Sequence, residues 1–187
     1  MSNIIVKDIV NAFKLYAPYA IGSGVLILVF IYLIIKIVDR KSHGLRDFID
    51  VYGIKLIIGY ILYIYCFHVV CITFLSREPG SRDSLDLKLL STFSNNFSNN
   101  IYPIENILLF IPLGILLPHF LKWFQRGIYC CFIGIIFSLL IELSQYAAKR
   151  GYFQIDDILT NMTGTIVGYL IWWIIYRIIH IKKYAKQ

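Results

Sequence analysis

Ile141 to Gly168 reads IELSQYAAKRGYFQIDDILTNMTGTIVG. It carries Glu142, Gln145, Lys149, Arg150, Asp156, Asp157 and Asn161, yet it lies between two long apolar runs. Runs of about 20 apolar residues read as membrane-spanning helices. The stretch is therefore the hairpin that joins two spans. Ionisable groups near hydrocarbon are costly and mark functional positions.

Spacing assigns these residues to faces. On the first run Gly134, Ser138, Glu142 and Gln145 form one helical stripe. On the second, Asp157, Asn161, Gly164 and Gly168 form another. Small residues on such stripes allow helices to approach closely. The two stripes are expected to face each other, with glycines inside the bundle and polar groups near its outer end. An earlier apolar run offers Asn106, Phe110 and Gly114 on a similar stripe. From the helical rise, Glu142 lies about 9 Å and Asn161 about 7 Å below the end of its span.

Working outward, 58% of the 187 residues are hydrophobic and the mean hydropathy is +0.70. The fold expected is an all-α, polytopic membrane helix bundle in one domain, residues 1–187. Five transmembrane helices fall at 17–38, 51–76, 104–124, 128–148 and 157–181. An amphipathic interfacial helix at 1–16 precedes them, with Ile5, Ile9, Ala12, Phe13 and Tyr16 on one face. The first apolar run is longer than a signal-peptide core and reads as retained. Pro112 and Pro118 are expected to break the third span, where neighbouring helices can satisfy the freed carbonyls. Residues 77–103 form a loop rich in Ser and Asn, with one short helix around Asp83 to Leu90. That loop also contains Asn96-Phe97-Ser98, a short glycosylation-type sequon.

The net charge is +7. The basic residues flank apolar runs, so they read as anchors at anionic headgroups, not as a nucleic-acid surface. Counted by connector, 11 of the 18 Lys and Arg fall on the side of the first connector and the C-terminal tail. The positive-inside rule then places the N-terminus outside, the C-terminus inside and residues 77–103 in the extracellular space. Cys66, Cys71, Cys130 and Cys131 lie within apolar runs without metal-ligand spacing. No metal and no other cofactor is expected. His68, inside the second span, fits either a proton relay or a bond to neighbouring backbone.

The polar groups admit two readings. Asp156 and Asp157 suit a helix N-terminus, where acids are favourable. Asn161 and Gln145 suit cross-helix hydrogen bonds. Alternatively, Arg77, Asn106, Gln145, Arg150, Asp156 and Asn161 bind a ligand, with Arg77 and Arg150 meeting its phosphate or carboxylate. Glu142 and Asp157 then supply charge or, in an enzyme, acid and base. No Ser-His pair or His-rich cluster points to a standard hydrolytic mechanism.

The string NILLFIPLG at Asn106 to Gly114, the Ser138-x-x-x-Glu142-x-x-Gln145 pattern, Arg150, and Asp157-x-x-x-Asn161-x-x-Gly164-x-x-x-Gly168 together resemble the VanZ-like membrane protein family. Thr73-Phe74-Leu75-Ser76-Arg77 is similar to that family's threonine-to-arginine ending of an earlier span. Asp86-Leu87-Lys88-Leu89-Leu90 stands where the family carries an Asn-Leu-x-Pro-Phe element. The resemblance implies a bacterial cytoplasmic-membrane protein contributing to resistance to glycopeptides of the teicoplanin type. The partner expected is a membrane lipid, a lipid-linked wall precursor or a lipoglycopeptide, bound at the outer leaflet. The alternative is an intramembrane hydrolase or transferase acting on a lipid or a lipid-linked wall precursor, using Glu142 and Asp157.

Overall fold

In hydrocarbon every backbone N–H and C=O needs an internal partner, and a long apolar segment satisfies that requirement as a helix. A computed structural model describes residues 2–38, 45–75, 80, 85–89 and 101–184. The helices are α1 (Ser2–Val38), α2 (Leu45–Val70), α3 (Ile101–Phe120), α4 (Gly127–Ala147) and α5 (Ile155–Tyr184). All five are long and apolar enough to cross a membrane. The fold is all-α, as the hydropathy pattern predicts. Large apolar side chains such as Leu26, Ile54, Leu108 and Ile128 face outward, while Ser138, Glu142, Gln145, Asp156, Thr160, Asn161 and Thr165 are buried. That distribution suits lipid, which solvates an apolar exterior.

The chain divides into two compact units, Met1–Ser76 and Arg77–Gln187. In the first, α1 packs on α2 as a hairpin. The segments read from sequence as an interfacial helix and a span are one continuous helix that runs through Pro18. Gly24 admits the ring of Tyr60 where a Cβ would otherwise stand. Beside it, Ser23 Oγ and Tyr63 OH are 2.8 Å apart. His68 is buried, with Nδ1 2.8 Å from the carbonyl of Ile64. A carbonyl accepts only, so Nδ1 carries the proton, and this is the backbone bond of the two readings. The helix then widens into a π-helical turn, Cys71–Leu75.

The second unit holds α3, α4 and α5. Successive contacts of α3 with α5 advance together along both helices, so the two run parallel. A Cβ on Gly164 would strike the carbonyl of Ile107, and one on Gly168 would strike that of Ile111. A Cβ on Gly114 would meet the backbone of Thr165 and Tyr169. The Gly-x-x-x-Gly of α5 thus seats α3 backbone to backbone. The single facing stripe expected on α5 therefore divides: Gly164 and Gly168 meet α3, while Asn161 and Thr165 meet α4. Gly134 of α4 lies against the Thr165 side chain.

Pro112 and Pro118 do not break α3, which is continuous from Ile101 to Phe120. For Pro118 the compensation comes from α4. Pro118 cannot donate to the carbonyl of Gly114 four residues back. The thiol of Cys130 lies 3.9 Å from that carbonyl and donates to it. The turn Lys122–Gln125 connects α3 to α4 and is pinned by Tyr169 OH, 2.8 Å from the carbonyl of Gln125.

Residues 85–89 also depart from expectation. Leu85–Asp86 forms a strand, β1, paired in parallel with β2 (Phe153–Gln154). Of the helix expected around Asp83 to Leu90, the described residues 85–89 hold this strand instead, whose partner lies in the α4–α5 connection. Pairing across such a sequence distance leaves no local periodicity to read. The sequon at Asn96 lies outside the described residues.

Candidate functional site

The α4–α5 hairpin builds the site. Ser138, Glu142 and Gln145 lie on the buried stripe of α4. The helix closes with Ala148 as its cap and Lys149 in the left-handed conformation at φ 53°. Lys149 N–H donates to the carbonyl of Tyr146 at 3.0 Å, and Arg150 N–H to that of Gln145 at 2.8 Å. These are the paired bonds of a Schellman cap. The chain turns within it, forms β2 and enters α5, with Asp156 and Asp157 in the first turn. Acids there complement the helix dipole. Thr160 Oγ1 donates to the carbonyls of both Asp156 and Asp157, at 2.9 and 3.1 Å.

Lys149 occupies a position that glycine fills at least strain. Lys149→Gly is expected to leave the melting temperature unchanged or raise it, by up to about 1 kcal/mol of stability. Lys149→Val is expected to lower it, since a branched side chain resists positive φ. Circular dichroism melts of the purified protein in detergent check both.

Hydrogen bonds from Glu142 and Asn161 link α4 to the chain that follows it. Glu142 is 2% exposed, and its Oε2 accepts the backbone N–H of Gln154 at 3.0 Å. The carboxylate therefore holds β2 against α4. Asn161 is 5% exposed, and its Nδ2 donates to Ser138 Oγ at 2.8 Å. Its carbonyl Oδ1 is buried without a hydrogen-bond partner among the described residues. An unsatisfied buried acceptor costs about 1–3 kcal/mol. Ser138, to which this amide is bonded, lies one turn before Glu142 on α4. Thr165 Oγ1 donates to the Asn161 carbonyl of the main chain at 3.0 Å, which orients this turn of α5.

Ser138, Glu142, Gln145, Asp156 and Asn161 are thus all buried, with Asn161 bonded to Ser138 and Glu142 bonded to the segment that enters α5. Asp157 and Arg150 are half-buried. Asn106 stands half-buried on the second turn of α3, outside this chain of hydrogen bonds. Arg77 lies outside the described residues. Gly134, Gly164 and Gly168 set the helix spacing beneath the site. Sequence reading missed the Gln154 amide and β1, because backbone donors and two-residue strands leave no side-chain signature. It also passed over Thr160 and Thr165, although Thr165 follows Asn161 by one turn on the same stripe. Among the described residues, no three His, Cys, Asp or Glu side chains converge where a metal ion would sit.

The VanZ/LLP1 family profile matches residues 58–176, well over half of the chain. The chain belongs to the VanZ/LLP1 family. No curated protein and no solved structure matches it. The family match spans α3 and α4 completely and α5 through Tyr176, so the Gln154–Glu142 and Asn161–Ser138 bonds lie within it. With five helices able to cross a membrane, this is a VanZ-like membrane protein.

Proposed function

We propose that this VanZ-like protein binds the polar head of an amphiphilic ligand at the outer leaflet and so contributes to resistance against lipid-bearing glycopeptides of the teicoplanin type. The ligand is a membrane lipid, a lipid-linked wall precursor or the lipoglycopeptide itself. The observation that carries the reading is the Asn161 side-chain carbonyl, buried and without a hydrogen-bond partner among the described residues, on an amide bonded to Ser138, one turn before Glu142 on α4. A site that keeps an unsatisfied acceptor sacrifices stability, and that pattern is common where a ligand completes the bonding. Arg150 and Asp157 at the rim supply charge, and the apolar helix faces accept the ligand's tail. The distribution of Lys and Arg orients the hairpin end outward, with the N-terminus outside and the C-terminus inside.

The test uses Glu142→Gln and Asp157→Asn in a susceptible host, at membrane levels matched to the parent. Expression of the parent is expected to raise the inhibitory concentration of teicoplanin more than that of a glycopeptide without an acyl chain. Loss of one charge-assisted hydrogen bond is expected to lower that protection by about tenfold in ligand affinity. Parental protection in both variants would overturn the assignment. A change in extracted lipid composition that depends on both carboxylates would instead identify the site as that of a headgroup hydrolase or transferase.

A further inference from the structure

The opposite end of the second unit carries a groove with a different chemistry. Because α3 and α5 are parallel, their C-terminal ends lie together, and between them Trp172, Tyr176, Ile175 and Ile179 form an apolar trough with His119 and His180 beside it. Its aromatic wall is continuous. Trp172 meets His119 edge-on at 6.2 Å and stacks on Tyr176 at 5.1 Å, and Tyr176 lies 3.9 Å from the His180 ring. His180 Nδ1 donates to the carbonyl of Tyr176 at 2.9 Å, which leaves Nε2 as the nitrogen a ligand would meet.

Charge at this end has one sign. Lys122 and Arg126 follow α3, and Lys182 and Lys183 lie on the last turns of α5. Arg177 sits over the Trp173 ring at 5.3 Å. No Asp or Glu occurs between Glu105 and Glu142, nor after Asp157. His180 follows Asn161 by a helical rise of about 28 Å, close to the thickness of a bilayer's hydrocarbon core. The groove therefore opens at the membrane surface opposite the polar hairpin. Ile175 and Ile179 are exposed on the lipid-facing side, so the trough is continuous with the acyl region.

We propose that this groove is a binding site for an anionic glycerophospholipid. One acyl chain lies along Trp172, Tyr176 and Ile179, and the phosphate meets His119 and His180 within the field of Lys122 and Arg126. A zwitterionic headgroup brings an ammonium into that same field and is disfavoured. This site is independent of the polar cluster, and neither assignment depends on the other.

The chain's three tryptophans, Trp123, Trp172 and Trp173, all lie at this end and report on it. The purified protein is placed in nanodiscs of increasing brominated phosphatidylglycerol or brominated phosphatidylcholine, and tryptophan fluorescence is followed. Half-maximal quenching is expected at an about fivefold lower mole fraction of the anionic lipid, the preference one basic contact provides near a membrane surface. His119→Gln with His180→Gln is expected to abolish the preference. Lys7→Gln with Lys14→Gln, at the other end of the chain, is expected to leave it intact. Equal quenching by the two lipids overturns the proposal. So does a preference that survives the histidine substitutions, or self-association that shields the tryptophans from both lipids.

Discussion

Gly168→Leu is expected to destroy the folded second unit. An ideal Cβ at this position would strike the carbonyl of Ile111 and come within 3.0 Å of Gly114 Cα. Both obstacles are backbone, so no rotamer change relieves them. Overpacking of this kind costs about 3 kcal/mol, and α3 can yield only by moving away as a whole. Lipid offers no compensation, because helices in a bilayer associate through packing and not through apolar burial. The carbonyl of Ile107 would then also leave Gly164. The measurement is recovery of monodisperse protein from the membrane, followed by a melt. Gly168→Leu is expected to aggregate or melt far below the parent, with Gly168→Ala in between. Gly22 has open space around it, so Gly22→Leu should behave as the parent does. A Gly168→Leu protein that melts with the parent would refute the backbone-to-backbone seat.

The second large effect separates stability from activity. Ser138→Ala combined with Asn161→Leu removes both partners of the 2.8 Å bond and, with them, the unpartnered Oδ1. Replacing a buried polar pair by apolar groups of similar shape is neutral or stabilising, and removing an orphaned acceptor can return about 1–3 kcal/mol. The double variant is therefore expected to melt at or above the parent temperature while losing all protection against the acylated glycopeptide. Single Asn161→Leu leaves Ser138 without its partner and should be less stable than the pair. A double variant that is destabilised but still protective would show that Asn161 serves only to join α4 to α5.

Much of this architecture could be read directly from residue order. Long apolar runs fix helices wherever backbone bonds must close internally, and the four-residue recurrence of Ser138 and Glu142 placed both on one face. The steps from Asn161 to Gly168 placed these residues on α5 but not on a single interface. A helix side is broad enough to touch two neighbours, and which neighbour each residue meets depends on crossing geometry. Pro112 and Pro118 misled for a similar reason. Proline disrupts its own helix, but the remedy for Gly114 came from Cys130 on another one. The Gln154–Glu142 bond was out of reach because its donor is a main-chain amide, present at nearly every position.

The parallel seating of α3 on α5 has a consequence for how the protein is made. Ribosomal synthesis delivers α3 first, then α4, and only at the end the helix carrying Gly164 and Gly168. Until that last segment enters the bilayer, the carbonyls of Ile107 and Ile111 lack the surface they are shaped for, and β1 waits for a strand not yet translated. Assembly of this unit is thus a single late event, and a nascent chain stalled before α5 presents an unfinished surface to the quality-control proteases of its membrane.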